Sequence, residues 1–282
     1  MHSKFTLLGT GSCEGIPAPF CTCKICTLAR RTGGKNRRRR FGVAVNGELL
    51  VDFGPDAVDS MRTFNIDETK IKYICVTHNH GDHFQMFDLL WRAVWDNAPA
   101  LEIAANREVL DNYTDTIACQ YTGSKNVIKD NCILHEMVPG KVLQLGKYRL
   151  LAVRASHMKY ENCALNYLIT TPEGKKLLIL ADTGWWCEES FNYLRGVQAD
   201  IVISELSCGI RPIEEDLRVH HLGAKAVIEF VDELKKQGAV KQDAICVTTH
   251  LSHVPQATQE ELEEYFAGTC VTPGYDGLTV EF

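Results

Sequence analysis

Residues 76–84 read Val-Thr-His-Asn-His-Gly-Asp-His-Phe, so three histidines and an aspartate fall within the six positions 78–83. They directly follow the apolar run Tyr73-Ile74-Cys75-Val76. Buried imidazoles and carboxylates are costly unless they are paired or bound to metal. The pattern H-x-H-x-D-H has neither helical nor strand periodicity, so core packing does not explain it. Three further positions share the layout of a strand running into a polar turn: His157 after "YRLLAVRAS", Asp182 after "LLILA" and His250 after "AICVTT". A lone histidine at a strand end is ordinarily a hydrogen-bonded surface residue; the cluster at 78–83 changes that reading. In α/β proteins sites gather at the carboxyl ends of strands. His78, His80, His83, His157 and His250, with Asp82 and Asp182, make two three-ligand sets and one shared carboxylate. Such nitrogen and oxygen donors suit a pair of zinc, manganese or iron ions.

A second cluster has softer donors. Cys21, Cys23 and Cys26 lie in "FCTCKIC", in a loop at about 17–30 that also holds Pro17 and Pro19. Closely spaced thiols in a reducing compartment bind metal more often than they form disulfides. A structural zinc needs four ligands. His253, three residues past His250, is the best fourth: one histidine faces the first metals and the next faces the zinc.

The elements that must position these groups alternate. Strand-like runs such as "KFTLLGT", "ELLVDFG", "YICVTH", "KLLILADT", "DIVISEL" and "AICVTTH" are separated by helical patterns at 84–97, 188–195, 223–237 and 259–267. Strands alternating with helices indicate an α/β protein. Turns at Asn46-Gly47 and Pro172-Glu173-Gly174 add antiparallel hairpins. Two mixed sheets covered by helices, in one domain spanning 1–282, are expected. The polar stretch 119–129 reads as a cleft loop.

Composition narrows the partners. A net charge of −6 provides no global basic field for nucleic acid or membrane. No apolar run approaches the roughly 20 residues that span a bilayer. "MHSKFTLLGTGS" is too polar for a secretion signal. Most of the twelve cysteines are scattered singly, as suits a cytoplasmic protein.

The string His78-Asn79-His80-Gly81-Asp82-His83 resembles the H-x-H-x-D-H signature of the metallo-β-lactamase superfamily, and Asp52 in "LLVDFG" resembles that family's earlier strand-end aspartate. The resemblance covers essentially the whole chain and implies an αββα sandwich with a dinuclear site between the sheets. It implies that His78, His80 and His157 hold one metal and Asp82, His83 and His250 the other. Asp182 would bridge, and Asp52 would orient a ligand histidine by a hydrogen bond. "GTGSCEGIPAPFCTCKICTLARR" and "THLSH" further resemble the phosphodiesterases of bacterial phosphonate breakdown. Those enzymes open phosphoribosyl 1,2-cyclic phosphate and carry a structural zinc on three cysteines and a histidine. They are related to the tRNA 3′-processing endonucleases. In these branches a histidine beside the metals assists at the phosphate, and alignment with H-L-x-x-x-x-V favours His221 over His220. Asp82 joins His221 as an expected catalytic residue.

The expected activity is hydrolysis of a small cyclic nucleotide or cyclic sugar phosphate. Cleavage of RNA or single-stranded DNA, or of an ester, thioester or lactam, is the alternative. Nucleic acid is not favoured as a partner, and a homodimer is left open. The run Arg37–Arg40 reads either as solvated or as a phosphate track. Trp185, Trp186 and Tyr275 read either as packing or as pocket lining.

Overall fold

A computed structural model describes residues 2–94, 99–124, 128, 132–157, 164–211, 220–255 and 257–282. Among the described residues, two seven-stranded sheets face one another. The first runs in the order β14 (Thr279–Glu281), β1 (Lys4–Gly9), β2 (Gly42–Val45), β3 (Leu49–Val51), β4 (Tyr73–Cys75), β5 (Leu101–Ala105), β6 (Cys132–Glu136). The second runs β13 (Val271–Pro273), β12 (Val240–Thr249), β11 (Ala199–Glu205), β10 (Lys176–Leu180), β9 (Leu165–Thr170), β8 (Tyr148–Arg154), β7 (Val142–Leu145). Each sheet is antiparallel at one side and parallel at the other. In the first, β3, β4, β5 and β6 run parallel. In the second, β10, β11, β12 and β13 do so.

Alternation of side chains explains the layers. Inward residues of both sheets, among them Leu7, Val43, Val51, Leu150, Tyr167, Ile179 and Ile203, form the central core. The opposite face of the first sheet packs under α2 (Ala57–Thr63), α3 (Met86–Val94), and α4 (Arg107–Asp111), which runs through a π-helical stretch into α5 (Cys119–Thr122). The outer face of the second sheet packs under α1 (Lys24–Thr32), α6 (Glu188–Asn192), α7 (Ala224–Lys236) and α8 (Gln259–Phe266). This is the αββα sandwich expected from the sequence. No helix among the described residues is long and apolar enough to cross a membrane.

Local differences have local reasons. The cysteine loop stops at Cys23, the N-cap of α1, because Ile25, Cys26 and Ala29 at helical spacing turn one face inward. Of the supposed cleft loop, 119–122 is helical, while 125–127 and 129 lie outside the described residues. The helical pattern at 84–97 is α3, with 95–97 likewise outside them.

Main-chain bonds fix the ends of the parallel strands. Asp52 N donates to Cys75 O at 2.8 Å, and Phe53 N to His83 O at 2.8 Å. Leu165 N reaches across to Thr77 O at 2.9 Å, joining the two sheets beside the histidine turn. Gly54 permits a close approach to this turn: a Cβ there would lie 2.0 Å from the carbonyl oxygen of Asp82. Gly54→Ala is therefore expected to push the 78–83 turn outward and cost about 1–3 kcal/mol. Urea unfolding would measure this, and an unchanged midpoint would remove the argument for close contact.

Candidate dinuclear metal centre

The strand-end residues converge into two groups whose candidate ligand atoms each lie within 4.8 Å of one another: His78, His80, His157 and Asp182, and Asp82, His83 and His250. In the first group His78 Nε2 lies 2.9 Å and His157 Nε2 3.5 Å from His80 Nδ1. In the second, His83 Nε2 lies 3.1 Å and His250 Nε2 3.6 Å from Asp82 Oδ2. Asp182 spans both. Its Oδ2 is 3.5 Å from His157 Nε2 and 3.7 Å from His78 Nε2, while its Oδ1 is 2.7 Å from His250 Nε2 and 3.6 Å from His83 Nε2.

The donors fit divalent metal. Asp82 Oδ2, His83 Nε2, Asp182 Oδ1 and His250 Nε2 are buried and form no hydrogen bond despite their mutual proximity. Buried polar atoms are otherwise almost always bonded. These four are close without being aligned, as expected of atoms that converge on a common centre.

Other groups hold the rings in place. Asp52 Oδ2 lies 2.6 Å from His83 Nδ1, leaving Nε2 to face the centre. The Thr77 hydroxyl donates to Asp52 Oδ2 at 2.8 Å and so accepts from His78 Nδ1 at 3.0 Å. The Ser207 hydroxyl donates to His250 O at 3.1 Å and accepts from His250 Nδ1 at 2.9 Å. His157 Nδ1 donates to the carbonyl of His220 at 3.3 Å. Asp52 and His250 have φ of 61° and 57°, in the left-handed region that costs a residue with a side chain. Both of these residues lie at the candidate centre.

Charge follows the geometry. Burial would lower the imidazolium of His250, but Asp182 and Asp82 outweigh it and push its pKa up to about 10. Burial and the nearby His83 hold His78 well below the usual imidazole value. Asp182, though buried, is held well below the usual carboxylate range by His250 and His83.

His221 stands beside the centre, its ring centroid 4.9 Å from that of His157 and 6.3 Å from that of His250. His221 Nδ1 lies 3.1 Å from Oε1 of Glu205, which is fully buried. Burial works against the His221 proton, but the Glu205 carboxylate prevails and raises its pKa. The same carboxylate accepts the backbone N–H of Leu222 at 3.1 Å, Thr183 at 3.2 Å and Ser207 at 2.8 Å. His220, by contrast, has an exposed side chain and offers its carbonyl. Glu205, Thr77 and Ser207 were not anticipated. Glu205 nevertheless ends the apolar strand "DIVISEL", the layout that identified Asp182.

The softer cluster also assembles. His253 Nδ1 lies 3.3 Å from Cys21 Sγ and 3.6 Å from both Cys23 Sγ and Cys26 Sγ. All four candidate atoms lie within 4.8 Å of one another, and the three cysteines are not in disulfides. Three thiols and an imidazole match the donor set of a structural zinc.

The ambiguous residues divide. Arg38 is buried and donates to Thr10, Gly274 O and Gln259. Arg39 pairs with Asp59 at 2.7 Å and Arg40 with Asp56 at 3.0 Å, leaving Arg37 exposed. Trp186 is buried, donates to Asn166 Oδ1 at 3.0 Å and packs with Trp185 against Phe191 and Phe230. Tyr275 is half-buried and stacks under Lys35 Nζ, 4.6 Å from the ring centroid.

A sandwich with clustered histidine and aspartate ligands at its parallel strand ends is the architecture of a metal-dependent hydrolase. Residues 48–242 match the model of the Beta-lactamase superfamily domain, and the chain belongs to that family. Among curated proteins it is 25% identical over 276 residues to an octanoyltransferase of Porphyromonas gingivalis (strain ATCC BAA-308 / W83), covering 96% of this chain. The chain spans only 50% of that relative's length. Among solved structures it resembles a diphosphatase from the PhnP family, with TM-score 0.75, 22% identity, and 100% and 98% of the two chains covered. It also resembles Zn(2+)-bound PqqB from Methylobacterium extorquens, with TM-score 0.74, 16% identity, and 99% and 100% covered. Human tRNase Z, short form, follows at TM-score 0.65, 20% identity, and 98% of each chain. At these identities the structural likenesses establish the fold.

Glu205 offers a direct test of the geometry. Glu205→Gln keeps its shape but turns an NH2 toward donors that now meet carboxylate oxygen. It is expected to lose about 1–3 kcal/mol of stability in urea unfolding. A variant as stable as the parent would show that the three N–H bonds and the His221 contact do not matter to folding.

Proposed function

We propose that the chain is a phosphodiesterase acting on a small cyclic nucleotide or cyclic sugar phosphate. His78, His80 and His157 would hold one divalent ion, Asp82, His83 and His250 a second, and Asp182 would be shared between them; zinc and manganese suit the donors, and iron is compatible. The observation that carries the reading is the carboxylate of Asp182 placed with one oxygen toward each histidine group. Two such ions supply a nucleophile at neutral pH by acidifying water and offset charge on the phosphoryl oxygens. Asp82 is the carboxylate of the second ligand set and sits beside the reacting phosphate. Glu205 fixes His221 through Nδ1, so Nε2 is the atom that delivers a proton to the departing alkoxide. Cys21, Cys23, Cys26 and His253 hold a structural zinc.

A diphosphatase and a tRNase Z among the structural relatives are consistent with chemistry at phosphorus. A nucleic-acid track would need free cations, and Arg38, Arg39 and Arg40 are bonded within the chain. The name octanoyltransferase belongs to a protein twice as long as the segment matched.

Two measurements test this reading. Elemental analysis should approach three metals per chain, one for each ligand group and one for the cysteine cluster. Cys26→Ser should remove one equivalent and lower the melting temperature, since a structural zinc contributes folding free energy; full zinc content in that variant would defeat the assignment. The second measurement is a screen of cyclic nucleotides, cyclic ribose phosphates, RNA and β-lactams with Zn²⁺ or Mn²⁺. His221→Ala should keep its metals and lose turnover on the best phosphodiester by roughly 10²–10⁴-fold. The loss should shrink when p-nitrophenolate is the leaving group. An equal loss on both substrates would remove the general-acid role, and turnover of β-lactams alone would overturn the phosphodiesterase reading.

A further inference from the structure

Four of the five histidines at the candidate centre have their outward ring nitrogen held by a neighbour: His83 by Asp52, His78 by Thr77, His250 by Ser207 and His157 by the carbonyl of His220. His80 is the exception. It is exposed, its Nδ1 is turned toward His78 and His157, and its Nε2 forms no hydrogen bond among the described residues. Its ring is therefore placed through the backbone of the turn. On one side the His80 carbonyl accepts from His83 N at 3.0 Å and Phe84 N at 3.1 Å. On the other stands Asn79, between His78 and His80 in the chain.

The Asn79 side chain is gripped by the neighbouring helix. Its Oδ1 accepts from Asn112 Nδ2 at 3.0 Å, and its Nδ2 donates to Glu108 Oε1 at 3.4 Å. A carboxylate only accepts, so the amide has one orientation here, N–H toward Glu108 and oxygen toward Asn112. Glu108 belongs to α4, and Asn112 opens the π-helical stretch Asn112–Ala118 that continues it. The next residue, Tyr113, is buried, with its ring centroid 5.7 Å from that of Phe84, directly after His83. Two successive residues of the π-helical stretch thus touch the 78–83 turn at its two ends. Such stretches are rare and recur at functional sites.

We propose that Asn112 is a positioning residue for the metal centre: through Asn79 it sets the place of His80, the histidine whose outward nitrogen has no partner of its own. The proposal rests on the reading of His78, His80 and His157 as one metal-binding set.

Calorimetric titration with Mn²⁺ tests it, on the full chain stripped of ions at the histidine centre and with zinc left on the cysteine cluster. The parent should take up two equivalents, and His80→Ala should lose one of them. Asn112→Asp sets a second carboxylate against Asn79, so neither orientation of the amide suits both neighbours. It should weaken that same equivalent about tenfold, the lower end of the effect of groups that orient a ligand from outside. Its urea midpoint without Mn²⁺ should equal the parent's. Adding Glu108→Gln to Asn112→Asp lets the amide turn round, N–H toward the new carboxylate and oxygen toward the new amide. This pair should recover the parent's affinity to within roughly threefold, as coupled neighbours do. Unchanged affinity in Asn112→Asp would overturn the proposal, as would weakening of the equivalent that His80→Ala retains. A lowered midpoint without Mn²⁺ would make Asn112 a folding residue only, and an unrescued double variant would remove Asn79 as the link; either overturns it. A parent that takes up no Mn²⁺, or His80→Ala that loses none, would instead remove the metal reading itself, and the proposal with it.

Discussion

A carboxylate moved from water into a protein interior must find compensating charge or hydrogen bonds, and Asp182 is buried among imidazoles that supply it. The rest of the architecture serves that constraint. No single strand could surround one carboxylate with His78, His83, His157 and His250. Two sheets packed face to face bring the carboxyl ends of β4, β8, β10 and β12 to one edge. The apolar interior then excludes water from the back of the site, and charges at its edge interact more strongly than they would in solution.

Placement of the ligand atoms depends on a further ring of hydrogen bonds, and these have a consistent logic. A neutral imidazole offers one nitrogen as donor and the other as acceptor, so fixing the donor decides which atom faces the metal. Asp52, Thr77, Ser207 and the carbonyl of His220 each fix one donor. Glu205 extends the arrangement, because it binds the N–H of Thr183, next to Asp182, the N–H of Ser207, which holds His250, and the ring of His221. One buried carboxylate thereby couples the positions of Asp182, His250 and His221.

The residues that could be read from the sequence are those whose chemical type is uncommon in their surroundings. Histidines in the turn after "YICVT" and thiols in "FCTCKIC" contrast with the apolar strands beside them, and their spacing is local. The sheets followed from alternation and turn residues. Thr77 and Ser207 could not be read this way, since hydroxyls at strand ends are ordinary and their roles depend on partners far along the chain. Ser207 acts on a residue 43 positions away. The arginine run was ambiguous for the same reason: only packing against Asp56, Asp59 and Gln259 shows that three of its members are spent internally. The helices α2 and α4 were missed because their amphipathic faces are short and their tertiary setting, rather than their length, stabilises them.

The two ligand clusters are tied together by a short piece of backbone, and this explains why a cysteine corner stands beside a histidine and aspartate centre. His250 and His253 are separated by two residues, and His250 has the left-handed φ of 57° that an unconstrained chain would avoid. Leu251 between them is bonded on both sides, its N–H to Thr10 O at 2.8 Å and its carbonyl to Ser12 N at 3.1 Å. Glu14 then accepts from the Ser252 hydroxyl at 2.6 Å and the His253 N–H at 3.1 Å. With His253 drawn against the three thiols at the far end, the segment is clamped at Thr10, Ser12, Glu14 and the cysteine cluster. The strain at His250 is then held by several contacts at once, so its ring can present Nε2 to the centre without the chain relaxing to an extended conformation. The N-terminal loop that links β1 to the cysteines is thus a brace for His250, which lies more than two hundred residues further along the chain.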